Sequence, residues 1–411
     1  MGRHKKEIAS IKSAIKQKTK EEKDLIRYPT GSDLQDLLVG GGLGMGYPGG
    51  KIINIVGDKS TGKTFLACEL IAAAYNLYKE KLKWIYDDCE SGFSFNTTQL
   101  YGFEIMPMQI TKRNRSKTIE DAYCNIRNFL EENINDYYSI YVIDSLDGLT
   151  SEEGNELANE RYKLYQTDKK MEKGSYKMGK PKYLSNEFFP QLANLLQDKN
   201  ALLVIISQVR TNIDPFSFEK YTRAGGKAMD FYCHTVLWLA QINKLLKKGR
   251  AVGVTIKAKN TKSKTPRPYR EIFVQLVFDY GLDNISSNID FYFDLLTPKG
   301  KLIASPKVHW DCICSIIEIK EFLAENKKEN YYRKNVCPKL KRSEVMAWLC
   351  IPENELLLSK FNKKYNIEMT RNELISYIEA NNLQKQLTEK VVKKWEVIEN
   401  SIKSHRPKKY S

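Results

Sequence analysis

The chain has 411 residues, 42% of them hydrophobic and 28% charged, with 66 Lys and Arg against 50 Asp and Glu for a formal net charge of +16. These values are ordinary for a folded soluble chain and exclude an intrinsically disordered or collagen-like one; the length allows one large α/β domain and something smaller. The positive balance points to an anionic partner, most commonly nucleic acid.

The 8 Cys are scattered. With a polar, lysine-rich start over residues 1–20 there is neither signal peptide nor membrane anchor, and no apolar run reaches membrane-spanning length. A reducing cytoplasmic setting with free thiols follows. Cys312, Cys314, Cys337 and Cys350 lack the paired C-x-x-C spacing of a zinc site.

Residues 1–28 read as a basic amphipathic helix with Ile8, Ile11 and Ile15 on one face, a stripe that needs this subunit or a neighbour to cover it. Pro29 and Gly31 end it. A short helix around residues 32–38 and a glycine-rich turn over residues 40–46 lead into Lys51–Val56, an apolar β-branched strand. Then comes Gly57-Asp58-Lys59-Ser60-Thr61-Gly62-Lys63-Thr64, which fits G-x-x-x-x-G-K-[ST], the phosphate-binding P-loop. Residues 65–75 follow as a helix, so the motif sits between strand and helix as its chemistry requires. Gly57 and Gly62 permit the tight turn that aims backbone N–H groups at phosphate oxygens. Lys63 would reach the β- and γ-phosphates, and the Thr64 hydroxyl would ligate Mg²⁺.

Lys83–Asp87 is a second strand with Asp88-Cys89-Glu90 at its C-terminal end, where ligand chemistry gathers in parallel α/β sheets. Tyr137–Ser145 is an apolar run ending in Asp144, the Walker-B pattern, whose carboxylate holds the Mg²⁺ shell. Two polar loops are expected, over about 150–185 and 209–226, with a strand at Ala201–Gln208 between them. Further strands are expected at Thr235–Ile242, Val252–Lys257 and Glu271–Phe278. Lys244 to Arg270 is the most basic segment, with ten Lys or Arg and no Asp or Glu. From about Ser305 the pattern turns helical, with Trp310, Ile313 and Ile317 on one face and Trp395, Ile398 and Ile402 on another. The basic end, residues 406–411, reads as a disordered tail.

In this order and spacing, Gly42–Gly46, the P-loop, Asp88-Cys89-Glu90, Val142–Ser145, Ser207–Arg210, Gly225–Ala228 and Phe231-Tyr232 resemble the RecA-type homologous recombinases, including the phage UvsX-like branch. The resemblance covers most of residues 28–300. It implies an α/β fold: a RecA-like P-loop ATPase core with a mostly parallel twisted sheet flanked by helices over 31–304, a subunit-docking helix over 1–30, and a small α-rich domain over 305–411. It implies an ATP-dependent DNA recombinase that forms a filament on single-stranded DNA and pairs it with homologous duplex, with ATP and Mg²⁺ as cofactors. Its partners would be single- and double-stranded DNA and further copies of itself, with room for a loader or a single-strand-binding protein and no membrane.

Residue by residue, the resemblance makes Glu90 the activator of the attacking water and Gln208 the γ-phosphate sensor. It makes Lys259 and Lys262 cations offered to a neighbour's γ-phosphate, one residue wider apart than the family's pair. The two loops become DNA-binding loops, carried by Lys177, Lys180, Lys182, Arg210, Lys220, Arg223, Gly225 and Gly226, with Phe216 and Phe218 as base-stacking candidates. The family's bacterial members place an adenine-stacking aromatic residue seven positions after the glutamate. Here that position is Thr97, which leaves Phe95 or Tyr101 for the role. A hexameric helicase, or a regulatory paralogue that binds ATP and DNA without strand exchange, shares this core. Only about 30 residues precede the motor, against the helicase, and Lys63, Thr64, Glu90 and Asp144 are all retained, against the paralogue.

Overall fold

The computed structural model describes residues 26–105, 115–132, 137–167, 179–212, 221–264, 267–303, 307–311, 316–336, 338–339, 342–349 and 351–403. They fall into two compact units, the first drawn from 1–288, 298–301 and 388–411, the second from 289–297 and 302–387. The single C-terminal domain expected over 305–411 is thus divided between them. No described helix is long and apolar enough to cross a membrane.

In the first unit the expected N-terminal helix lies outside the described residues up to residue 25. Its last positions are not helical: Arg27–Tyr28 (β1) pairs antiparallel with Tyr47–Pro48 (β2). Tyr28 precedes Pro29, and the proline ring pushes the residue before it into extended backbone. The helix Asp33–Gly40 is capped by Ser32, whose hydroxyl accepts from Gln35 N–H, and ends at Gly41 with φ 77°.

Among the described residues nine strands form the main sheet: Lys51–Gly57 (β3), Leu82–Asp88 (β4), Tyr138–Asp144 (β5), Leu202–Thr211 (β6), Tyr221–Arg223 (β7), Thr235–Lys247 (β8), Arg250–Ser263 (β9), Glu271–Val277 (β10) and Gly281–Asp283 (β11). The order is β11-β10-β9-β8-β3-β6-β5-β4, with β7 also on β6. Strands β4, β5, β6, β3 and β8 run parallel. Their middles are mostly apolar because both faces are covered. Ile52, Val56, Leu203 and Ile205 join Ile126 and Phe129 of helix Ile119–Glu132 and Leu192 and Leu196 of helix Phe189–Asp198 in one core. Within it, Asn54 is fully buried on β3 and donates to Ile205 O at 2.8 Å and Ser207 Oγ at 2.9 Å.

Both expected loops contain regular structure. The first holds a 15-residue helix, Glu152–Gln166, started by the Ser151 hydroxyl accepting from Gly154 N–H at 3.2 Å. None of its residues is buried, so it has no apolar stripe for a sequence reading to find. The second is a hairpin: β6 runs three residues past Gln208 and pairs with β7, Val209 opposite Arg223 and Thr211 opposite Tyr221. The basic segment is mostly a hairpin too, β8 against β9, joined by Lys248 and Gly249, both at positive φ (50° and 76°). Such a two-residue turn matches the twist of the strands it joins.

The second unit is not purely helical. Lys307–Asp311 (β12) pairs antiparallel with Asn366–Thr370 (β13). Trp310 therefore lies on a strand, where burial recurs every second residue with Val308, and not on a helical face with Ile313 and Ile317. Ile313 lies outside the described residues. Ile319, Phe322, Tyr332, Trp348 and Phe361 build this unit's core. Thr370 and Glu373 form a capping box for helix Arg371–Ala380, and the Arg371 guanidinium grips Asp290 at 2.5 and 3.0 Å. The last helix, Gln384–Ser401, enters the first unit from Thr388 onward. There Trp395 is buried, but Ile398 and Ile402 are 42% and 57% exposed, so the expected apolar face over these three is not formed. Cys312, Cys314, Cys337, Cys350 and the basic tail lie outside the described residues.

Candidate active site

The P-loop turns between the end of β3 and helix Lys63–Tyr78, both as read from sequence. Two positions need glycine. A Cβ at Gly57 would lie 2.3 Å from Thr61 Oγ1, and Gly62 stands at φ +82° with its Cβ direction blocked by Ile256. Thr61 is buried and its hydroxyl donates to Asp58 O at 2.9 Å, while Asp58, Lys59 and Ser60 face solvent. Lys63 Nζ donates to Asp58 O at 2.7 Å. Burial lowers the Lys63 pKa, and the carboxylates of Asp144, Glu90, Asp58 and Asp147 oppose that shift.

The Walker-B carboxylate arrives from β5, two strands away. Asp144 Oδ2 accepts from the Thr64 hydroxyl at 2.8 Å and from the Tyr86 phenol at 2.5 Å. Burial raises the Asp144 pKa, and those two donors hold it down. Among the described residues no three His, Cys, Asp or Glu side chains cluster to hold a metal by themselves. The paired oxygens of Thr64 and Asp144 fit Mg²⁺, which keeps most of its waters and shares substrate phosphates.

Glu90 lies just beyond the end of β4, and Gln208 near the end of β6. Gln208 Nε2 donates to Glu90 Oε1 at 2.9 Å across 118 residues of sequence, and the Ser145 hydroxyl donates to the same oxygen. Asp88 shapes the chain after Glu90 by accepting from the N–H groups of Gly92 at 3.1 Å and Phe93 at 2.9 Å. The expected nucleotide, metal and water-activating residues therefore converge on one end of the parallel strands.

The remaining candidates separate. Lys259 lines a cavity of about 540 Å³ with Asp58, Lys59 and Lys257. Lys262 is turned away from it, donating to the carbonyls of Asp230 and Phe231 at the end of helix Gly226–Tyr232. Lys180 donates to Leu146 O and Leu149 O, both at 2.6 Å. Arg210 pairs with Asp147, and Arg223 pairs with Asp230 at 2.5 Å with its side chain only 9% exposed. Lys180 and Arg223 are thus committed to internal partners, because a half-buried cation needs an acceptor near it, while Arg210 makes its pair at the surface with its side chain 57% exposed. Lys182 is exposed. Gly225 and Gly226 open helix Gly226–Tyr232 at φ 94° and 54°. Lys177, Phe216, Phe218 and Lys220 lie outside the described residues. Thr97 faces inward and accepts from Ile105 N–H at 2.8 Å. Phe95 stacks edge-on against Phe65 and lines a cavity of about 260 Å³ with Phe93 and Glu104, whereas Tyr101 lies against Glu69.

Sequence reasoning assigns no role to Tyr86, Ser145 or Asp147. The signal available for the last two is an acid and a hydroxyl in the turn directly after Asp144.

The chain matches the family profile described as RecA N-terminal domain over residues 5–283. It is 22% identical over 303 residues to Protein RecA of Mesoplasma florum, covering 71% of this chain and 84% of that protein. To Protein RecA of Thermus thermophilus it is 27% identical over 272 residues, covering 66% and 72%. To Protein RecA of Sulfurovum sp. it is 23% identical over 273 residues, covering 66% and 71%.

Proposed function

The chain belongs to the RecA family, a family of recombinases and DNA-dependent ATPases, and from that premise we propose how its own residues carry the reaction. ATP lies with its phosphates on the N–H groups of residues 57–64. Lys63 would leave the Asp58 carbonyl for the β- and γ-phosphate oxygens, and Thr64 with Asp144 would hold Mg²⁺. The metal, when bound, neutralises charge that develops on the phosphate oxygens. Glu90 takes the proton of the attacking water. Gln208 passes between Glu90 and the γ-phosphate and carries that change into the β6–β7 hairpin. Phe95, beside its cavity, is the better placed adenine contact.

The observation that most supports this reading is the 2.9 Å bond between Gln208 and Glu90, which puts the proposed sensor on the proposed base. The experiment pairs two variants. Glu90→Gln should bind a fluorescent ATP analogue like the parent while its steady-state hydrolysis falls by a factor of about 10² to 10⁴. Lys63→Ala should lose the analogue as well. Hydrolysis by Glu90→Gln near the parental rate would remove Glu90 from the role of base.

Assembly is a helical filament on single-stranded DNA, with strand exchange against duplex as its product. Negative-stain images with DNA and an ATP analogue test it, a closed ring favouring the helicase reading. Of the two lysines offered to a neighbour, Lys259 is the one we retain, since Lys262 closes a helix. Mixing Lys259→Ala with Glu90→Gln protein should restore ATPase above either alone if Lys259 works across the subunit boundary.

A further inference from the structure

We infer that Asp147, supported by Lys180, is a positioning residue that couples the two segments expected to hold DNA to the Glu90–Gln208 pair; this rests on the DNA-dependent ATPase reading above.

Asp147 sits in the short turn Leu146–Gly148 that follows β5, and its carboxylate is only 8% exposed. Both of its oxygens are used on β6. Oδ2 accepts from the backbone N–H of Gln208 at 2.8 Å. Oδ1 accepts from Arg210 Nη2 at 2.6 Å and Nε at 3.0 Å. The first bond fixes the backbone from which the Gln208 side chain reaches Glu90. The second reaches an arm of the hairpin, where Arg210 stands opposite Thr222 of β7. One carboxylate thus takes a backbone N–H of β6 on one oxygen and a side chain two residues further along the strand on the other.

The other side of the turn is held from the first segment. Lys180, at the start of helix Gly179–Tyr183, donates to the carbonyls of Leu146 and Leu149, which bracket Asp147. Its ammonium is pushed down by burial, with Asp147 opposing. The turn also lies against Glu90 itself: a Cβ at Gly148 would come within 3.0 Å of Glu90 Cγ. One turn therefore meets the proposed base, the proposed sensor and both DNA segments. Charge-assisted bonds are short and directional, so a shift of either segment moves the turn, and with it the alignment of Gln208 on Glu90. Asp147 touches neither nucleotide nor DNA in this scheme and acts through Gln208 and Arg210.

The test uses the full chain and four variants: Asp147→Ala, Asp147→Asn, Lys180→Met, and Asp147→Asn combined with Lys180→Met. ATP hydrolysis is measured across single-stranded DNA concentrations, alongside affinity for a fluorescent ATP analogue. Asp147→Ala should keep the analogue affinity and the KM for ATP, and lose at least about tenfold of kcat at saturating DNA. Its ratio of DNA-stimulated to DNA-free hydrolysis should fall with it. Asp147→Asn, which retains an acceptor for the Gln208 N–H, should fall between Ala and parent. The double variant should lose less than the product of the single losses, because both residues act through one turn. If Asp147→Ala fails to bind the analogue, the near-isosteric Asn variant decides. Stimulation of Asp147→Asn by the parental factor overturns the coupling role. A parent protein that DNA does not stimulate overturns the ATPase reading beneath it.

Discussion

The phenol of Tyr86, on β4, donates a 2.5 Å hydrogen bond to Oδ2 of Asp144, on β5. The two strands pair in parallel with Tyr86 opposite Val142, so the bond crosses the ladder and braces the carboxylate proposed to hold Mg²⁺. Tyr86 is completely buried. Tyr86→Phe should cost about 2 kcal/mol of stability, the usual worth of a hydrogen bond to a charged group. It should also let the Asp144 pKa climb further, since this donor is one of the two that hold it down. The acid limb of the ATPase pH profile should move to higher pH, and the Mg²⁺ concentration for half-maximal rate should rise. An unmoved acid limb would dissociate Asp144 from that limb.

Gly148 has no positive φ to protect, only space. Its Cβ would stand 3.0 Å from Glu90 Cγ and 3.4 Å from the Cys89 carbonyl. Gly148→Ala should displace Glu90 by a few tenths of an ångström and lower kcat by about tenfold to a hundredfold with nucleotide affinity unchanged. Single-turnover hydrolysis with a parallel binding titration checks this.

Lys182 and Arg223 should answer differently to salt. On single-stranded DNA, each phosphate that a protein cation neutralises adds about 0.7 to the slope of log affinity against log salt. Lys182→Ala should make the slope shallower by one such step. Arg223→Ala should leave the slope alone and instead lower the melting temperature, because its side chain is buried against Asp230 and over the Trp238 ring at 5.9 Å. Fluorescence-anisotropy titrations at several salt concentrations separate the two.

Glu69 makes stability fall as pH rises. It lies in helix Lys63–Tyr78 between Gly31 and Gly281, whose missing side chains make its space. Burial pushes its pKa up from the usual 4.5 to about 7. The native state therefore holds a proton that the unfolded chain has released between those values. The stabilisation is complete below about pH 4.5, declines as pH rises towards 7, and is gone above that. Glu69→Gln should be more stable than the parent at pH 8 by up to roughly 3 kcal/mol, with the advantage vanishing near pH 5. Urea melts at the two pH values measure it.

The P-loop, the parallel strands and Asp144 are legible in the sequence because each is local: a fixed spacing, or an apolar run that two-sided burial demands. Gln208 meeting Glu90 follows from strand order and is legible only through family resemblance. Helix Glu152–Gln166 is not, since a helix with no buried residue leaves no period in its apolar residues. Trp310 misleads because five strand residues next to helices share spacings with both. Asp147 is invisible for another reason. Its partners lie 61 and 63 residues away, and an aspartate before a glycine reads equally well as an ordinary turn. Lys180 and Arg223 pass for surface cations because sequence records charge but not the carbonyl or carboxylate folded against it.

The first unit draws on both ends of the described chain. Thr388 donates to Asp33 at 2.7 Å, Arg267 to Ile402 O at 3.2 Å, and the half-buried Arg270 pairs with Glu399. During synthesis, Arg270 thus finds its carboxylate only once the chain has been made as far as Glu399. Stopping translation near residue 301 would leave that guanidinium without its carboxylate and without the Trp395 ring that lies 5.5 Å from it. A shortened protein lacking the second unit has to be spliced at two places, Asn288 to Pro298 and Lys301 to Thr388, and not merely cut.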